Sequence, residues 1–422
     1  MAKKLKIAVL ATEFRWTNSV LKAFERTGHE IFRVSVDTKS VKDIFRELEE
    51  IAPDFCYSHN FHICKEWTAG YKDDIHYFFA ENKFPFAIWY LDNPEVQGDP
   101  ALKESWRTGP FPKNCLFFVN DSSFASFFKK RELPSFHLPI GVDRDIIRFD
   151  DHSLTSKWRA DLRFSGSAIV SFKPEPPSVE VLREGHKYIY AEELIRSIES
   201  DLSRASQSDA ESWFQNFLEA VNHFFDVYYT TPEDYFKAEQ NFYNETKRLP
   251  EFYQREIQKS SLRIAELYSW CQMTCYLFEL QSRGMIVQGS PDWAPLFPDQ
   301  KEVPRHLSWE ELFASYRAAK INFCFTKWSL PTAMHDRVYE ILLAGGFPLT
   351  DYREYLPEAF RKDEIVHYRT IEEAKHLIDY YLKADTEREK LIRKGRDRVL
   401  SDHTYDIRVA ELIRQSVLHW NL

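Results

Sequence analysis

Two charged residues three positions apart, Arg337 and Glu340, lie in a helical pattern that ends at the glycine pair 345–346. Residues i and i+3 share one face of a helix. A carboxylate on that face accepts two hydrogen bonds from a ribose diol, and a guanidinium neutralises a diphosphate. The spacing is therefore compatible with a ribose–diphosphate site on a helix that ends at Gly345-Gly346. Taken alone, the spacing favours the alternative, an ordinary surface ion pair between the two side chains.

Two other spacings raise the question of a bound metal. His59 and His62 stand at i, i+3, and Cys271 and Cys275 stand at i, i+4. Neither pair has a second pair nearby, and no Asp-x-Asp triplet in a suitable loop supports a divalent cation. We therefore predict no metal. The six cysteines lack a disulfide framework and are interpreted as buried free thiols, which favours a cytoplasmic location.

Short apolar runs alternate with amphipathic stretches over the first 150 residues, and this alternation predicts a parallel, doubly wound sheet. Such sheets bind ligands at the carboxyl ends of their strands. The loops expected at a site are 12–16, 59–62, 92–95 and 141–144. The predicted strands are 6–10, 30–36, 55–58, 87–91, 116–120 and 136–139.

A second doubly wound unit begins near residue 157. The full prediction is an α/β chain of two Rossmann-like domains, 1–155 and 156–404, that face a cleft. Helix 405–422 is expected to pack back on the first domain, and 178–282 is a mainly helical insertion with a structural or acceptor-binding role. The second sheet is predicted from 161–164, 284–288, 320–325, 346–349 and 365–368, and the helices from 309–319, 336–343, 371–383, 386–400 and 405–421.

The composition narrows the classes of function. A net charge of −9 argues against a large nucleic-acid surface, because nonspecific affinity for phosphates comes from clustered Lys and Arg. No apolar run is long enough for a transmembrane helix. The apolar run 7–10 is too short for a signal peptide and is interpreted as the first strand. The oligomeric state is not indicated.

Several blocks resemble the spore-maturation (CgeB-type) glycosyltransferases, but the resemblance does not extend into the helical insertion. The carboxyl half carries the most specific blocks, and those of the amino half are suggestive. They are YRAAKINF (316–323), RVYEILLAGGFPLTDYRE (337–354), YRTIEEA (368–374), Gly395-Arg396, His403-Thr404-Tyr405, PFAIWYLDNP (85–94), LPIGVD (138–143) and FSGS (164–167).

The resemblance implies a GT-B fold and transfer of a sugar from a nucleotide-diphosphate donor, UDP- or GDP-linked, to a hydroxyl of a glycan, protein or small molecule. By similarity, Glu340 holds the ribose, and Arg337 with the Gly166-Ser167 turn faces the diphosphate. Backbone amides at such a turn can cradle a phosphate. Lys327 is a second cation, and residues 303–307, with His306, bracket the base. Gly289 and Gly345 are turn residues that we also expect at this donor site.

Many retaining GT-B enzymes have a Glu eight positions before the ribose Glu, and this chain has Thr332 there. The stereochemistry therefore stays open. An inverting enzyme needs a general base near the acceptor hydroxyl. Asp92, at a strand end, is the first candidate, with Glu13, His59 and His62 in other loops at the predicted cleft. Asp92 also fits a cap of the following turn, and His59 a hydrogen-bonded structural role.

Three alternatives share some of these features. A sugar-nucleotide epimerase or hydrolase of the same architecture would bind the same donor. A noncatalytic assembly protein would use the helical insertion and show no donor affinity. A DNA-base glycosyltransferase would need a basic strip facing the cleft, against which the acidic balance argues.

Overall fold

The computed structural model describes residues 3–11, 15–36, 39, 41–59, 84–92, 114–129, 132–148, 156–166, 273–274, 276–294, 297–302, 304–326 and 330–422. The chain divides into two units, Met1–Arg163 with Ser308–Leu422, and Phe164–Leu307. Nearly all of the predicted insertion 178–282 lies outside the described residues, so its helical character stays a prediction. The domain bounds 155 and 404 also stay a prediction.

Six parallel strands form the first sheet, in the order β2-β1-β3-β4-β5-β6. The three inner strands after β1 consist of buried residues only, which is typical of parallel strands covered on both faces. The strands are β1 Lys6–Ala11, β2 Glu30–Ser35, β3 Phe55–His59, β4 Phe86–Tyr90, β5 Cys115–Val119 and β6 Ser135–His137.

Alternate residues of these strands enter two different cores. Val9, Tyr57 and Trp89 belong to one buried cluster, whereas Leu10 and Ile88 belong to the other. Successive side chains of a strand point to opposite faces, so each apolar strand contributes to both cores. The predicted parallel sheet of the amino-terminal part is confirmed. Its described helices are α1 Arg15–Glu25, α2 Val41–Ile51 and α3 Ala125–Lys129, with 3-10 turns at Ser122–Phe124 and Arg144–Arg148.

The second sheet has five strands in the order β11-β10-β9-β7-β8, again parallel where the pairing is described. A second parallel sheet confirms the predicted pair of doubly wound α/β folds. Its strands are β7 Ala160–Ser165, β8 Met285–Gln288, β9 Ala319–Phe323, β10 Pro348–Asp351 and β11 Val366–Tyr368. The remaining helices are α4 Trp309–Ala318, α5 Asp336–Leu343, α6 Leu356–Ala359, α7 Ile371–Tyr381, α8 Asp385–Asp402 and α9 Tyr405–Trp420.

Helix ends follow local capping chemistry. A capping box of Ser308 and Glu311 begins α4, and the Thr370 side chain accepts from the Glu373 N–H at the start of α7. Gly345, at φ +82°, follows the end of α5. Strand β10 begins at Pro348 instead of the predicted residue 346. The difference arises because Gly346 belongs to the turn, where its N–H donates to the Ile341 carbonyl at 2.8 Å.

Helix α9 lies in the same unit as the first sheet. Its buried residues Leu412 and Ile413 belong to the same core as Val9 and Tyr57. The Trp420 ring lies 5.8 Å from the ring of Phe55 in β3. The helix therefore covers one apolar face of this sheet. Among the described helices, none has the length and apolarity needed to cross a bilayer.

Candidate functional site

Helix α5 begins in a compact polar turn. Asp336 Oδ1 accepts a hydrogen bond from the Arg337 N–H at 2.8 Å and lies 2.5 Å from His335 Nδ1. Burial alone would raise the pKa of Asp336, but the neighbouring charges of His335 and Arg337 hold it below its ordinary value. The result is an ionised carboxylate at the N-terminus of α5, where the helix dipole also favours negative charge.

Arg337 and Glu340 are both half-buried on this helix. Burial acts to lower the pKa of the Arg337 guanidinium, yet the pKa is raised because Tyr316, Cys324, Asp336 and Glu340 act on it. A half-buried position for both side chains disfavours the ordinary surface pair that the i, i+3 spacing also allowed. Their roles toward a ligand stay a prediction.

The glycine turn after α5 is held by contacts with α4 and β9. Arg317 Nε donates to the Ala344 carbonyl at 2.9 Å, just before Gly345. A Cβ at Gly346 would lie 2.4 Å from the Tyr316 carbonyl oxygen and 2.9 Å from Asn322 Nδ2. Only glycine allows this close approach of backbone to backbone.

Asp351 at the end of β10 anchors the segment that follows β9. Its Oδ1 accepts from the Thr326 N–H at 3.0 Å and from the Thr326 hydroxyl at 2.9 Å. Arg353 donates to Asp351 through Nε at 2.9 Å and to the Thr326 carbonyl at 2.9 Å. The predicted cation Lys327 directly follows Thr326 and lies outside the described residues.

In the unit Phe164–Leu307, the ends of β7 and β8 meet at two glycines. The Gly166 N–H donates to the Gln288 carbonyl at 2.9 Å. Gly289 adopts φ +108°, and a Cβ there would lie 2.7 Å from the Gly166 backbone. Trp293 Nε1 donates to the Gly166 carbonyl at 2.8 Å. Both predicted turn glycines are thus in one backbone contact; Ser167 lies outside the described residues.

His306 joins the same cluster. Its Nδ1 lies 2.9 Å from the Gly289 carbonyl oxygen, and because a carbonyl only accepts, Nδ1 carries the proton. The Gly289 N–H donates to the Arg305 carbonyl at 3.1 Å. The structure therefore brings together Gly166, Gly289 and His306, three residues that the resemblance assigns to the donor site.

The candidates for a general base in the amino-terminal part lie in different environments. His59, at the end of β3, is buried, and its Nε2 lies 3.4 Å from Thr17 Oγ1. Its ring centroid is 4.5 Å from that of Trp16. This packing favours the structural role that the sequence left open for His59. Asp92 follows β4 and is half-buried. Glu13 and His62 lie outside the described residues.

Tyr405 was not singled out as a site residue in the sequence, although it belongs to the block 403–405. Its ring lies 5.9 Å from that of Trp16 and 6.4 Å from that of Trp89. Burial raises the pKa of its hydroxyl well above the ordinary value, and Asp336 and Glu340 raise it further. Tyr405 therefore packs near the rings of Trp16 and Trp89, and the charges of Asp336 and Glu340 in α5 act on its hydroxyl.

Asp121 and Asp143 are further buried carboxylates that sequence reasoning missed. Asp143 accepts from the Ser19 hydroxyl at 2.9 Å. Asp121 accepts from the Thr332 N–H at 2.7 Å, across 211 positions of sequence. Asp143 ends the block LPIGVD, and this block could have identified it from sequence. No local pattern marks Asp121.

Two sequence blocks of the resemblance are packed against each other. Val142 forms a parallel β-bridge with Thr404, and the Tyr405 N–H donates to the Val142 carbonyl at 2.9 Å. A Cβ at Gly141 would lie 3.0 Å from the backbone of Thr404.

Within the described ranges, no group of three or more His, Cys, Asp or Glu side chains is arranged to hold a metal ion.

The fold is that of a GT-B-type protein. The sucrose-phosphate synthase of Thermosynechococcus elongatus superposes with a TM-score of 0.50, at 8% identity over 98% of this chain and 99% of that chain. The trehalose-phosphate synthase (UDP-forming) of Burkholderia vietnamiensis gives 0.47, at 10% identity over 98% and 99%. The Anabaena HepE protein in complex with UDP-glucose gives 0.45, at 10% identity over 97% and 99%.

A family model described as glycosyl transferase-like matches residues 271–414. The matched segment includes β8 with Gly289, and helix α5 with Arg337 and Glu340. This chain therefore carries a glycosyltransferase-like domain. A comparison with curated protein sequences gives no match.

Proposed function

We propose that this protein transfers a sugar from a nucleotide-diphosphate donor, UDP- or GDP-linked, to a hydroxyl group of a glycan, a protein or a small molecule. One observation carries the proposal. The glycosyltransferase-like match over 271–414 contains helix α5, whose half-buried Arg337 and Glu340 lie close enough for the carboxylate to act on the pKa of the guanidinium.

Charge complementarity supports the donor part of the proposal. Glu340 accepts hydrogen bonds from the ribose hydroxyls, and Arg337 offers a cation to the diphosphate. The Gly166-Ser167 turn is proposed for the phosphates, and His306 for the base. The placing of the phosphates at this turn is supported by the backbone contact between Gly166 and Gly289. Lys327 is proposed as an additional cation.

For the chemical step we propose Asp92 as the general base. It follows a parallel strand at its carboxyl end and is half-buried, so it meets the positional requirement for contact with an acceptor hydroxyl. His59 is a weaker candidate because it packs against Trp16, and Glu13 stays a proposal from sequence.

Three finer assignments belong to the same proposal. Membership of the CgeB-type subfamily is supported by the pairing of blocks LPIGVD and 403–405 through Val142 and Thr404. A cytoplasmic location is supported by the buried free thiols of Cys56, Cys115 and Cys324. Phosphate neutralisation by Arg337 and by backbone amides, with no metal, is proposed from the chemistry of those groups.

The proposal is tested by a thermal-shift panel of nucleoside diphosphates and their sugar conjugates. A ligand that binds only the folded state raises the melting temperature. We expect UDP or GDP, with its sugar conjugate, to stabilise the protein and AMP to have no effect. Hydrolysis of a stabilising sugar conjugate without any acceptor would instead indicate a hydrolase. A panel in which no nucleotide stabilises the protein contradicts the proposal.

A second test concerns Asp92. Replacement by Asn keeps the shape of the side chain but removes its basicity, so we expect transfer to slow by ~10²-fold with donor affinity unchanged. The measurement is the initial rate of nucleotide release with an accepted sugar donor and acceptor. Full activity of Asp92→Asn removes this residue from the mechanism.

A further inference from the structure

The pair Asn120-Asp121, at the carboxyl end of β5, links parts of the chain that are far apart in sequence. Asp121 is 0% exposed, and its carboxylate accepts five hydrogen bonds. Two come from Ser123, through its N–H at 2.9 Å and its hydroxyl at 2.7 Å. Three come from Thr332 and Ala333.

The contacts with Thr332 and Ala333 hold the segment that leads into α5. Asp121 Oδ2 accepts from the Thr332 N–H at 2.7 Å and from the Ala333 N–H at 2.8 Å. Its Oδ1 accepts from the Thr332 hydroxyl at 2.5 Å, and that hydroxyl in turn lies 2.9 Å from Ser122 Oγ. Two residues after Ala333 stands His335, the N-cap of α5.

Asn120 makes the corresponding contacts within the first sheet. Its Nδ2 donates to the Leu91 carbonyl at 3.1 Å, one residue before Asp92. Its Oδ1 accepts from the Ile140 N–H at 2.7 Å, and its own N–H donates to the Tyr90 carbonyl at 2.8 Å. The end of β4 and the entry to α5 are therefore fixed by two consecutive residues.

We propose that Asp121, supported by Asn120, is a positioning residue that orients Arg337 and Glu340 of α5 relative to the end of β4, which carries Asp92. This inference rests on the proposed function. Asp121 itself does not contact a ligand, because it is fully buried and both of its oxygens are used within the protein. Thr332 likewise acts on Asp121 and not on a sugar.

The negative charge is essential to this arrangement. A buried carboxylate is costly unless donors satisfy it, and here every contact is an N–H or O–H group that points to it. In Asp121→Asn one oxygen becomes an NH₂ group. If the NH₂ group takes the place of Oδ2, the N–H groups of Thr332 and Ala333 face another donor. If it takes the place of Oδ1, the Ser123 N–H faces another donor and the Thr332 hydroxyl loses its acceptor. In both orientations the attachment of the segment Thr332–Ala333 is weakened.

The test compares Asp121→Asn with a matched control, Asp54→Asn. Asp54 also accepts from a backbone N–H, that of Lys6 at 2.8 Å, but at the amino end of β1. The first readout is the affinity for UDP and GDP by calorimetry, well below the melting temperature of each variant. The second is hydrogen exchange at the amides of residues 332–337.

We expect Asp121→Asn to lose at least about ten-fold in affinity for the nucleotide that the wild type binds, with faster exchange at 332–337. Asp54→Asn should keep both values within about two-fold, even if it is destabilised. Unchanged affinity and exchange in Asp121→Asn overturn the inference while the proposed function stands. A wild type that binds neither UDP nor GDP overturns both.

A milder variant decides the matter if Asp121→Asn does not fold. Thr332→Val removes only the hydroxyl donor to Asp121, whereas Thr332→Ser keeps it. We expect at least about three-fold weaker nucleotide binding in Thr332→Val and wild-type binding in Thr332→Ser. Equal affinity of the two variants overturns the positioning role.

Discussion

At the scale of single residues, the environment of Glu340 favours the ribose-binding role proposed for it. The side chain is half-buried, and its charge acts on both Arg337 and Tyr405. Partial burial strengthens a charge-assisted hydrogen bond relative to one in water. A carboxylate in this position is therefore suited to bind hydroxyl groups.

We predict that Glu340→Ala weakens nucleotide binding by ~2–3 kcal/mol, the scale of lost hydrogen bonds to a charged group. Calorimetry with the nucleotide identified in the thermal-shift panel measures this change. Glu389→Ala is the control, because Glu389 is an exposed residue in the second turn of α8. Equal donor affinity in Glu340→Ala and in the control rules out the ribose assignment.

His403 makes the stability of the fold dependent on pH. Burial, followed by the charge of Arg408, lowers the pKa of its imidazole from 6.5 to about 4. Arg408 donates to Nδ1 at 2.7 Å, so Nε2 carries the proton and donates to the Ala359 carbonyl at 2.9 Å. His403 is therefore neutral in the folded state.

Because the unfolded chain takes up this proton near pH 6.5 and the folded chain only near pH 4, stability is lost as the pH falls through that window. Across this window, the protonation of His403 lowers the free energy of unfolding by about 3 kcal/mol. Urea unfolding between pH 7.5 and 4 should show a shallower pH dependence for His403→Gln than for the wild type. Parallel profiles would contradict the assignment.

At the scale of elements, strands and helices could be predicted because their apolar patterns are local. The runs 55–58 and 116–120 are mostly apolar and aromatic, as expected for buried strands, and they correspond to β3 and β5. The contact between Asp121 and Thr332 could not be predicted, since it joins loops 211 positions apart that carry no periodic signal. The proximity of Gly166 and Gly289 was expected only from the resemblance.

The turn between α5 and β10 offers a test that separates strain from steric overlap. Gly345 has φ +82°, but a Cβ there would lie 3.5 Å from its nearest neighbour, Arg317 Nε. At Gly346 a Cβ would lie 2.4 Å from the Tyr316 carbonyl. We expect a loss in the free energy of unfolding of about 1 kcal/mol for Gly345→Ala and about 2–4 kcal/mol for Gly346→Ala.

Urea unfolding of the two variants measures this difference. A larger loss for Gly345→Ala than for Gly346→Ala would mean that backbone conformation, and not the close approach to Tyr316, limits the turn.

At the scale of the molecule, helix α9 completes the core of the first sheet within the unit that contains both. Arg26, which directly follows α1, binds Asp406 at the start of α9 through two hydrogen bonds, at 2.6 Å and 2.9 Å. Behind this ion pair, Val409, Leu412 and Ile413 are buried. Apolar burial, more than the partly exposed ion pair, is expected to supply the stability.

We predict that Leu412→Ala lowers the free energy of unfolding by about 2–5 kcal/mol, because Leu412 is fully buried. Leu418→Ala is the matched control in the same helix, since Leu418 is 65% exposed, and its effect should stay within about 0.5 kcal/mol. Chemical denaturation of both variants makes the comparison. Equal effects would show that α9 does not contribute to this core.

The packing of α9 on the first sheet also affects how the chain folds during synthesis. Helix α1 is made before β3 and packs on Tyr57 through Phe24, but Phe55 packs on Trp420 of α9, so this part of the apolar face stays uncovered for most of translation. Exposed apolar surface of this kind promotes aggregation of nascent chains. Efficient production of this protein is therefore expected to depend on a chaperone that shields this part of the face until α9 has been made.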